Sequence, residues 1–178
     1  MAGHNKWSKI KHKKAATDAQ KSKIFSKHAS LIAMESRKAN GDIQSPGLQA
    51  AIERAKKDSM PKENIERAIS KGSGGDGAAL EEILYEGYGP GGTAILIKTV
   101  TDNKNRTASE VRTVFTKANY QLGVPGSAAW AFEKTDAGYT PITPLELTDE
   151  DGEKLAVLIE KLEDLDDVQD VYTSADSE

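Results

Sequence analysis

The stretch KGSGGDGAA (residues 71–79) divides the sequence into two parts with different hydrophobic periods. Glycine-rich runs of this kind are typical of linkers. Before the stretch, apolar residues recur at the spacing of amphipathic helices, and after it they follow the patterns of strands. We therefore predict a basic arm with a three-helix domain over residues 1–73, a linker over 74–79 and an α+β domain over 80–178.

The first part predicts three helices joined by short connections. The first covers residues 15–39 and ends at Asn40-Gly41, because glycine tolerates the left-handed conformation that ends helices. The second begins with Ser45 as N-cap and Pro46 at the first helical position, which suits its fixed φ. A third helix follows Met60-Pro61 and extends to the linker.

The second part predicts an open, mainly antiparallel sheet with two helices packed on one face, an α+β fold. The glycines of GYGPGG (87–92) are expected to form a hairpin turn, because the motif lacks the lysine and the following helix of a phosphate-binding loop. The prolines at 141 and 144 assign the fourth strand to an edge. The predicted elements are strands around 83–87 and at 93–101, 128–133, 139–147 and 168–172, and helices at 105–119 and after the N-cap Thr148.

Charge is distributed very unevenly along the 178 residues. The chain has 24 Lys and Arg against 28 Asp and Glu, a net charge of −4. Residues 1–73 hold 16 basic and 7 acidic side chains, a net charge of +9, whereas residues 74–178 hold 8 and 21, a net charge of −13. Such asymmetry predicts a polyanion as the partner of the basic part, with nucleic acid as the obvious class.

Several classes of protein are disfavoured by the composition. There is no cysteine, which excludes disulfides, thiolate metal sites and cysteine nucleophiles. The longest apolar run, near residues 93–100, is too short to span a bilayer, and no apolar segment follows the basic N-terminus as in a secretory signal. A mitochondrial transit peptide fits poorly because the segment has lysine but no arginine. We expect a cytoplasmic protein without a membrane partner.

The N-terminal segment is the strongest local signal for binding. The first 28 residues carry eight lysines and a single acid, Asp18. Lysines can neutralise successive phosphates, and Trp7 offers a ring on which a base can stack. The alternative is a solvated arm with Trp7 packed against the helical domain. The predicted nucleic-acid-binding residues here are His4, Lys6, Trp7, Lys9, Lys11, His12, Lys13, Lys14, Lys21, Lys23 and Lys27.

A second candidate lies where a strand gives way to a helix, in TDNKNRT (101–107). Lys104 and Arg106 beside a helix N-terminus can bind phosphate, because the free N–H groups and the helix dipole favour an anion there. An equally good interpretation is structural. Asp102 or Asn105 caps the helix, and Arg106 pairs with Glu110 one turn further on.

No catalytic, metal or cofactor site is predicted, and no small-molecule substrate. The chain lacks a nucleophile–base pair and a complete cofactor motif. The histidines at 4, 12 and 28 have no suitably spaced carboxylate partners, so polar surface histidines are expected. The acidic residues near the C-terminus lack the spacing of a calcium loop and are interpreted as a solvated face.

Several motifs are shared with a known family. The chain resembles the YebC/PmpR family, and the resemblance covers nearly its whole length. It implies a helical first domain and an α+β remainder. Family members usually carry a third, ferredoxin-like domain inserted in the second, but here residues 135–139 occupy the expected point of insertion. The motifs are AGHNKW (2–7), HKKAA (12–16), KIFSK (23–27), YEGYGPGG (85–92), DNKNRT (102–107), LG (122–123) with GSA (126–128), and LDDVQDVY (165–172).

The resemblance implies a regulator of gene expression, in one of two forms. Bacterial members are commonly described as DNA-binding transcriptional regulators, and others resemble mitochondrial translational activators that help the ribosome through stretches such as consecutive prolines. The lysine-rich arm suits irregular RNA at least as well as duplex DNA, and no helix-turn-helix surface is evident. We favour a monomeric, ribosome-associated translation factor contacting rRNA, with DNA-binding regulation second and a protein-interaction adaptor third.

Overall fold

The structure is a computed structural model that describes residues 17–75 and 79–176. These residues form two compact units. The helical unit comprises residues 17–75, 79–82 and 100–103, and the sheet unit comprises residues 83–99 and 104–176. None of the helices in these ranges has both the length and the apolar character needed to cross a bilayer.

Three helices, close to the predicted bounds, build the helical unit. They are α1 (Asp18–Lys38), α2 (Pro46–Lys57) and α3 (Lys62–Ser73). Helix α1 begins with a capping box, in which the Thr17 side chain accepts from the Gln20 N–H and the Gln20 side chain accepts from the Thr17 N–H. The predicted Asn40-Gly41 stop is confirmed, since both residues have positive φ.

The core of the helical unit consists of one apolar stripe from each helix. Leu31 and Ile32 of α1 pack with Leu48 of α2 and Ile65 of α3, all of them buried. Helices α1 and α3 approach closely at Gly72, where an added Cβ would lie 2.2 Å from the Ala33 carbonyl oxygen.

The sheet unit contains a three-stranded sheet, with β2 in the centre, and a separate two-stranded hairpin. The three-stranded sheet has the order β1 (Glu81–Tyr88), β2 (Ala94–Thr101), β5 (Val168–Thr173), and β2 pairs antiparallel with β5 so that Ile97 lies opposite Val171. The predicted hairpin turn between β1 and β2 is confirmed, because Gly91 and Gly92 there have positive φ.

The two faces of β2 bury different cores because its side chains alternate. Ile95 and Ile97 pack against α4 (Lys104–Lys117) and α5 (Asp149–Glu163), while Leu96 packs against Phe132 in the hairpin of β3 (Phe132–Thr135) and β4 (Gly138–Pro141). The prediction of an α+β fold with two helices on one face of a mainly antiparallel sheet is confirmed. Thr148 caps α5 as predicted, accepting from the Asp151 N–H.

Two strand predictions were wrong in extent. Residues Ala129–Ala131 form a 3-10 turn instead of a strand, and β4 ends at Pro141 although a strand was predicted to residue 147. The N–H groups of Ala128 and Ala129 are bound by the Glu86 carboxylate, so they cannot join a sheet ladder. Both paired strands are also short, and they form their own hairpin instead of extending the main sheet.

Candidate nucleic-acid interface

The predicted interface falls on three parts of the chain. Its N-terminal part, which contributes the most predicted residues, lies outside the described residues and remains a prediction from the sequence. That part comprises His4, Lys6, Trp7, Lys9, Lys11, His12, Lys13 and Lys14.

The second part lies on α1, in the helical unit. Lys21 is exposed there, whereas Lys23 and Lys27 are half-buried. Residues 17–75 hold 11 Lys and Arg against 7 Asp and Glu, a net charge of +4. The three-helix segment is therefore basic even without the arm that precedes it, although Glu81, Glu82 and Asp102 in the rest of the helical unit lower the net charge of that unit to +1.

The third part is the start of α4, where the structure gives Arg106 a carboxylate partner. Its guanidinium Nη2 lies 3.0 Å from the Asp167 Oδ2 and 3.2 Å from the Oδ1. The Thr107 hydroxyl donates to the same carboxylate at 2.8 Å. The ion pair is thus formed with Asp167, next to β5, and not with Glu110 as the structural interpretation supposed. The Asp167 carboxylate offsets the charge of Arg106, while the nearby Lys104 side chain is exposed.

The helical unit also contains a groove between α1 and α3, which we call the α1–α3 groove. It has a volume of about 340 Å³. Two of its lining residues, Arg67 and Lys71, were not among the predicted binding residues. The sequence shows that they lie four residues apart, a spacing that places them on the same side of α3. Its polar and aromatic lining consists of Ser22, Phe25 and Ser26 on α1 and Asn64, Arg67 and Lys71 on α3.

The expectation that all three histidines are polar surface residues was wrong for His28. It is only 7% exposed, and its Nε2 lies 2.6 Å from the Asp58 Oδ2 at the end of α2. The sequence could not show this contact, because it depends on how α1 packs against α2. His28 therefore joins two helices of the core. Within residues 17–75 and 79–176, no group of three His, Asp or Glu side chains is placed to hold a metal ion.

A carboxylate organises the longest loop of the sheet unit. Glu86 on β1 is 5% exposed and accepts from the N–H groups of Gly126, Ala128 and Ala129 at 2.6, 3.0 and 2.6 Å. Burial by itself would raise the pKa of Glu86, but these three hydrogen bonds outweigh it and hold the pKa below its ordinary value. The loop is thereby tied to β1 by an ionised group.

The same loop fixes an exposed aromatic side chain. The Trp130 ring is 70% exposed, and its Nε1 donates to the Tyr88 hydroxyl and to the Ser127 carbonyl, both at 2.9 Å. The Tyr88 hydroxyl in turn donates to the Ser127 carbonyl at 2.6 Å. The indole is held in one orientation although most of its surface faces solvent.

Comparison with known proteins accounts for almost the whole chain. The TACO1/YebC protein N-terminal domain matches residues 5–75, and the TACO1/YebC second and third domain matches residues 80–137 and 133–175. The chain belongs to the TACO1/YebC family. The predicted family resemblance is confirmed. The two segments of the second match meet around the β3–β4 turn, where the resemblance predicts an inserted domain in longer members.

Individual TACO1/YebC relatives extend this match. A protein of Trichlorobacter lovleyi named "Probable transcriptional regulatory protein" is 55% identical over 136 residues, which cover 75% of this chain and 55% of the relative. A protein of the same name from Dictyoglomus turgidum is 47% identical over 182 residues, covering 99% of this chain and 72% of the relative. The chain thus spans little more than half the length of the first of these relatives.

A solved structure is similar to this chain in both fold and sequence. The conserved hypothetical protein Aq1575 of Aquifex aeolicus is 34% identical to this chain and superimposes with a TM-score of 0.84. The match covers 96% of each chain. The α+β assignment therefore holds for a solved relative as well as for this chain.

Proposed function

We propose that this chain is a non-enzymatic, nucleic-acid-binding regulator of gene expression. The observation that carries the proposal is the segregation of charge, with a net charge of +9 over residues 1–73 and −13 over residues 74–178. A basic segment concentrates at a polyanion, and an acidic one is repelled from it. Binding is therefore assigned to the arm and the helical unit, and cytoplasmic nucleic acid is the expected partner.

RNA of the ribosome is the target we favour. Lysines interleaved with Trp7 and two histidines suit unpaired, irregular strands, because aromatic rings stack on exposed bases while lysines contact phosphates. The role that the family resemblance then implies is assistance to translation, including stretches such as consecutive prolines. The chain is proposed to act as a monomer.

DNA-binding transcriptional regulation is the second candidate, and the names of the relatives support it. Both the T. lovleyi and the D. turgidum proteins are named as probable transcriptional regulatory proteins. Contacts between lysines and phosphates would serve duplex DNA as well as RNA, since they carry no sequence information.

Sedimentation separates the two candidates. Tagged chain in native lysate is run through a sucrose gradient at low and at high salt, with and without ribonuclease. Migration with ribosomes that salt and ribonuclease both abolish would support the translation role. Chain that stays at the top of the gradient at low salt, yet is retained on immobilised genomic DNA, would contradict that role and support the transcriptional one.

Replacing Lys9, Lys11, Lys13 and Lys14 with alanine should weaken RNA binding and flatten its salt dependence. Each phosphate contact with a single strand contributes about 0.7 to the slope of log affinity against log salt, so losing four contacts should reduce the slope by about 3. Fluorescence anisotropy with a labelled single-stranded RNA at several salt concentrations measures this slope.

A matched control removes the same charge from the sheet unit. It replaces Lys117, Lys134, Lys154 and Lys161 with alanine, and its salt slope should equal that of the unaltered chain. Equal slopes for both variants would contradict the assignment of binding to the arm.

A further inference from the structure

The α1–α3 groove is built from one face of each helix. Its lining residues recur at the three- and four-residue spacing that places side chains on one side of a helix. The walls carry hydroxyl and amide groups, and the interior is apolar where Met60 and Ala68, both buried, approach its base. The half-buried Phe25 ring packs partly against the core of the unit and also lines the groove.

Among the residues that the structure describes, no carboxylate lines the α1–α3 groove, so no lining side chain neutralises its two cations. Arg67 and Lys71 are both exposed, and in the described ranges neither forms an ion pair. A second groove, between α2 and α3, is larger at about 750 Å³, but it is lined by Glu53 and Glu66 as well as by lysines.

The lysines of that second groove are already paired. Lys56 lies 3.1 Å from the Glu53 carboxylate, and Lys62 lies 3.6 Å from the Glu66 carboxylate. The two grooves therefore differ in electrostatics although they lie on the same small unit. Of these two grooves in the described part of the helical unit, the α1–α3 groove is the one that offers unneutralised positive charge beside an aromatic ring.

We infer that the α1–α3 groove binds one unpaired nucleotide of a nucleic-acid strand. Arg67 and Lys71 contact the phosphates on either side of it, and the base lies against Phe25 and the apolar floor. Asn64, Ser22 and Ser26 offer hydrogen bonds to the base edge or the sugar. A volume of about 340 Å³ fits a small-ligand site and excludes a duplex, whose bases are stacked and paired.

This inference rests on the proposed function and adds a site to it. The arm contacts the backbone without regard to base pairing, because lysine–phosphate contacts do not depend on it. A groove that holds a base requires that base to be unstacked. It therefore gives the protein a preference for single-stranded or looped regions, which the arm alone does not supply.

The test measures binding of a fluorescein-labelled 12-nucleotide single-stranded oligouridylate to the full chain by anisotropy at low salt. Replacing Arg67 and Lys71 with alanine should weaken binding about 10-fold, since two phosphate contacts are lost. The control variant Lys56→Ala/Lys62→Ala removes the same charge from the same unit and should change affinity by less than about 2-fold. All four side chains are exposed, so both variants should keep the circular dichroism of the unaltered chain.

Phe25→Leu tests the aromatic wall separately. Leucine keeps apolar contact with the core but offers no flat ring, so this variant should bind the oligouridylate about 5-fold less tightly while remaining folded. A duplex RNA of the same length should bind the unaltered chain and the Arg67→Ala/Lys71→Ala variant with equal affinity.

The outcomes separate this inference from the proposed function. Suppose that the unaltered chain binds the single strand, and that the Arg67→Ala/Lys71→Ala variant and the Lys56→Ala/Lys62→Ala control lose affinity equally. Binding then follows net charge, and the groove is not a site. An equal loss on duplex RNA would also overturn it. If the unaltered chain binds neither RNA nor DNA, the proposed function itself is wrong.

Discussion

Replacing Glu86 with alanine should lower the free energy of unfolding of the sheet unit by about 3 kcal/mol. The substitution leaves the N–H groups of Gly126, Ala128 and Ala129 without their acceptor, and an unsatisfied buried donor costs about 1–3 kcal/mol. Ala128 is fully buried, whereas Gly126 is exposed, so water can replace the carboxylate only in part.

Denaturant unfolding followed by tryptophan fluorescence measures this loss. The chain has two tryptophans, and a Trp7→Phe background makes Trp130 the sole reporter on the loop that Glu86 holds. The control is Glu133→Ala on β3, whose exposed side chain should change the free energy of unfolding by less than about 0.5 kcal/mol. Equal effects of the two substitutions would show that the carboxylate does not hold the loop.

Glu86 should also make the unit sensitive to acid. Its pKa in the folded state lies below the ordinary value of 4.5, so the folded state binds the proton less readily than the unfolded state does. The stabilisation is complete above about pH 4.5 and is lost as the pH falls through the lowered folded value.

Glu86→Gln should remove this part of the acid dependence. Glutamine keeps one acceptor oxygen, but its NH2 group is a donor and would face a backbone N–H, which is also a donor. The stability at neutral pH should therefore lie between those of the unaltered chain and the alanine variant. Unfolding midpoints compared at pH 7 and pH 3 give the difference. An unchanged pH dependence in Glu86→Gln would contradict the role of the ionised carboxylate.

Replacing Gly72 with alanine should destabilise the helical unit by about 2 kcal/mol, although the same change in an exposed helix usually stabilises. The added Cβ would lie 2.2 Å from the Ala33 carbonyl oxygen and 2.8 Å from the Ser36 Cβ, so α1 and α3 must separate. Overpacking of this kind costs about 1–3 kcal/mol. Separation would also strain the hydrogen bond from the Ser36 hydroxyl to the Ile69 carbonyl, which is 2.7 Å long.

The matched substitution is Gly152→Ala in α5. Apart from its chain neighbours and the backbone of its own helix, no atom of the described residues lies within 4 Å of the Cβ that it would add, so only the helix preference for alanine acts, and we expect stabilisation of about 0.5–1 kcal/mol. Thermal unfolding followed by circular dichroism should show a lower midpoint for Gly72→Ala and a higher midpoint for Gly152→Ala than for the unaltered chain. A Gly72→Ala chain as stable as Gly152→Ala would show that α1 and α3 tolerate a wider separation.

Local signals in the sequence predicted most of the elements. Thr148 and Pro46 begin helices where expected, and the helix preceding Asn40-Gly41 ends there, because caps and positive φ act within a few residues. The buried β2 strand was predicted by its apolar run. The strand predicted over 128–133 failed at Ala129–Ala131, since a carboxylate more than 40 positions away binds its N–H groups.

The site was less predictable than the fold. Arg106 was assigned either to phosphate or to Glu110, and the structure pairs it with Asp167, 61 positions along the chain. Arg67 and Lys71 were overlooked because their position opposite Phe25 depends on the packing of α1 against α3.

The sequence by itself determined the two hydrophobic periods, the helix ends and the separation of charge, because these follow from neighbouring residues or from composition. Only the tertiary structure decided that Glu86 is a buried acceptor, that His28 joins two helices and that one groove keeps unpaired cations. Each of these depends on which side chains meet across elements distant in sequence. These side-chain contacts are set by the packing of whole helices and strands, whose geometry no local sequence pattern encodes.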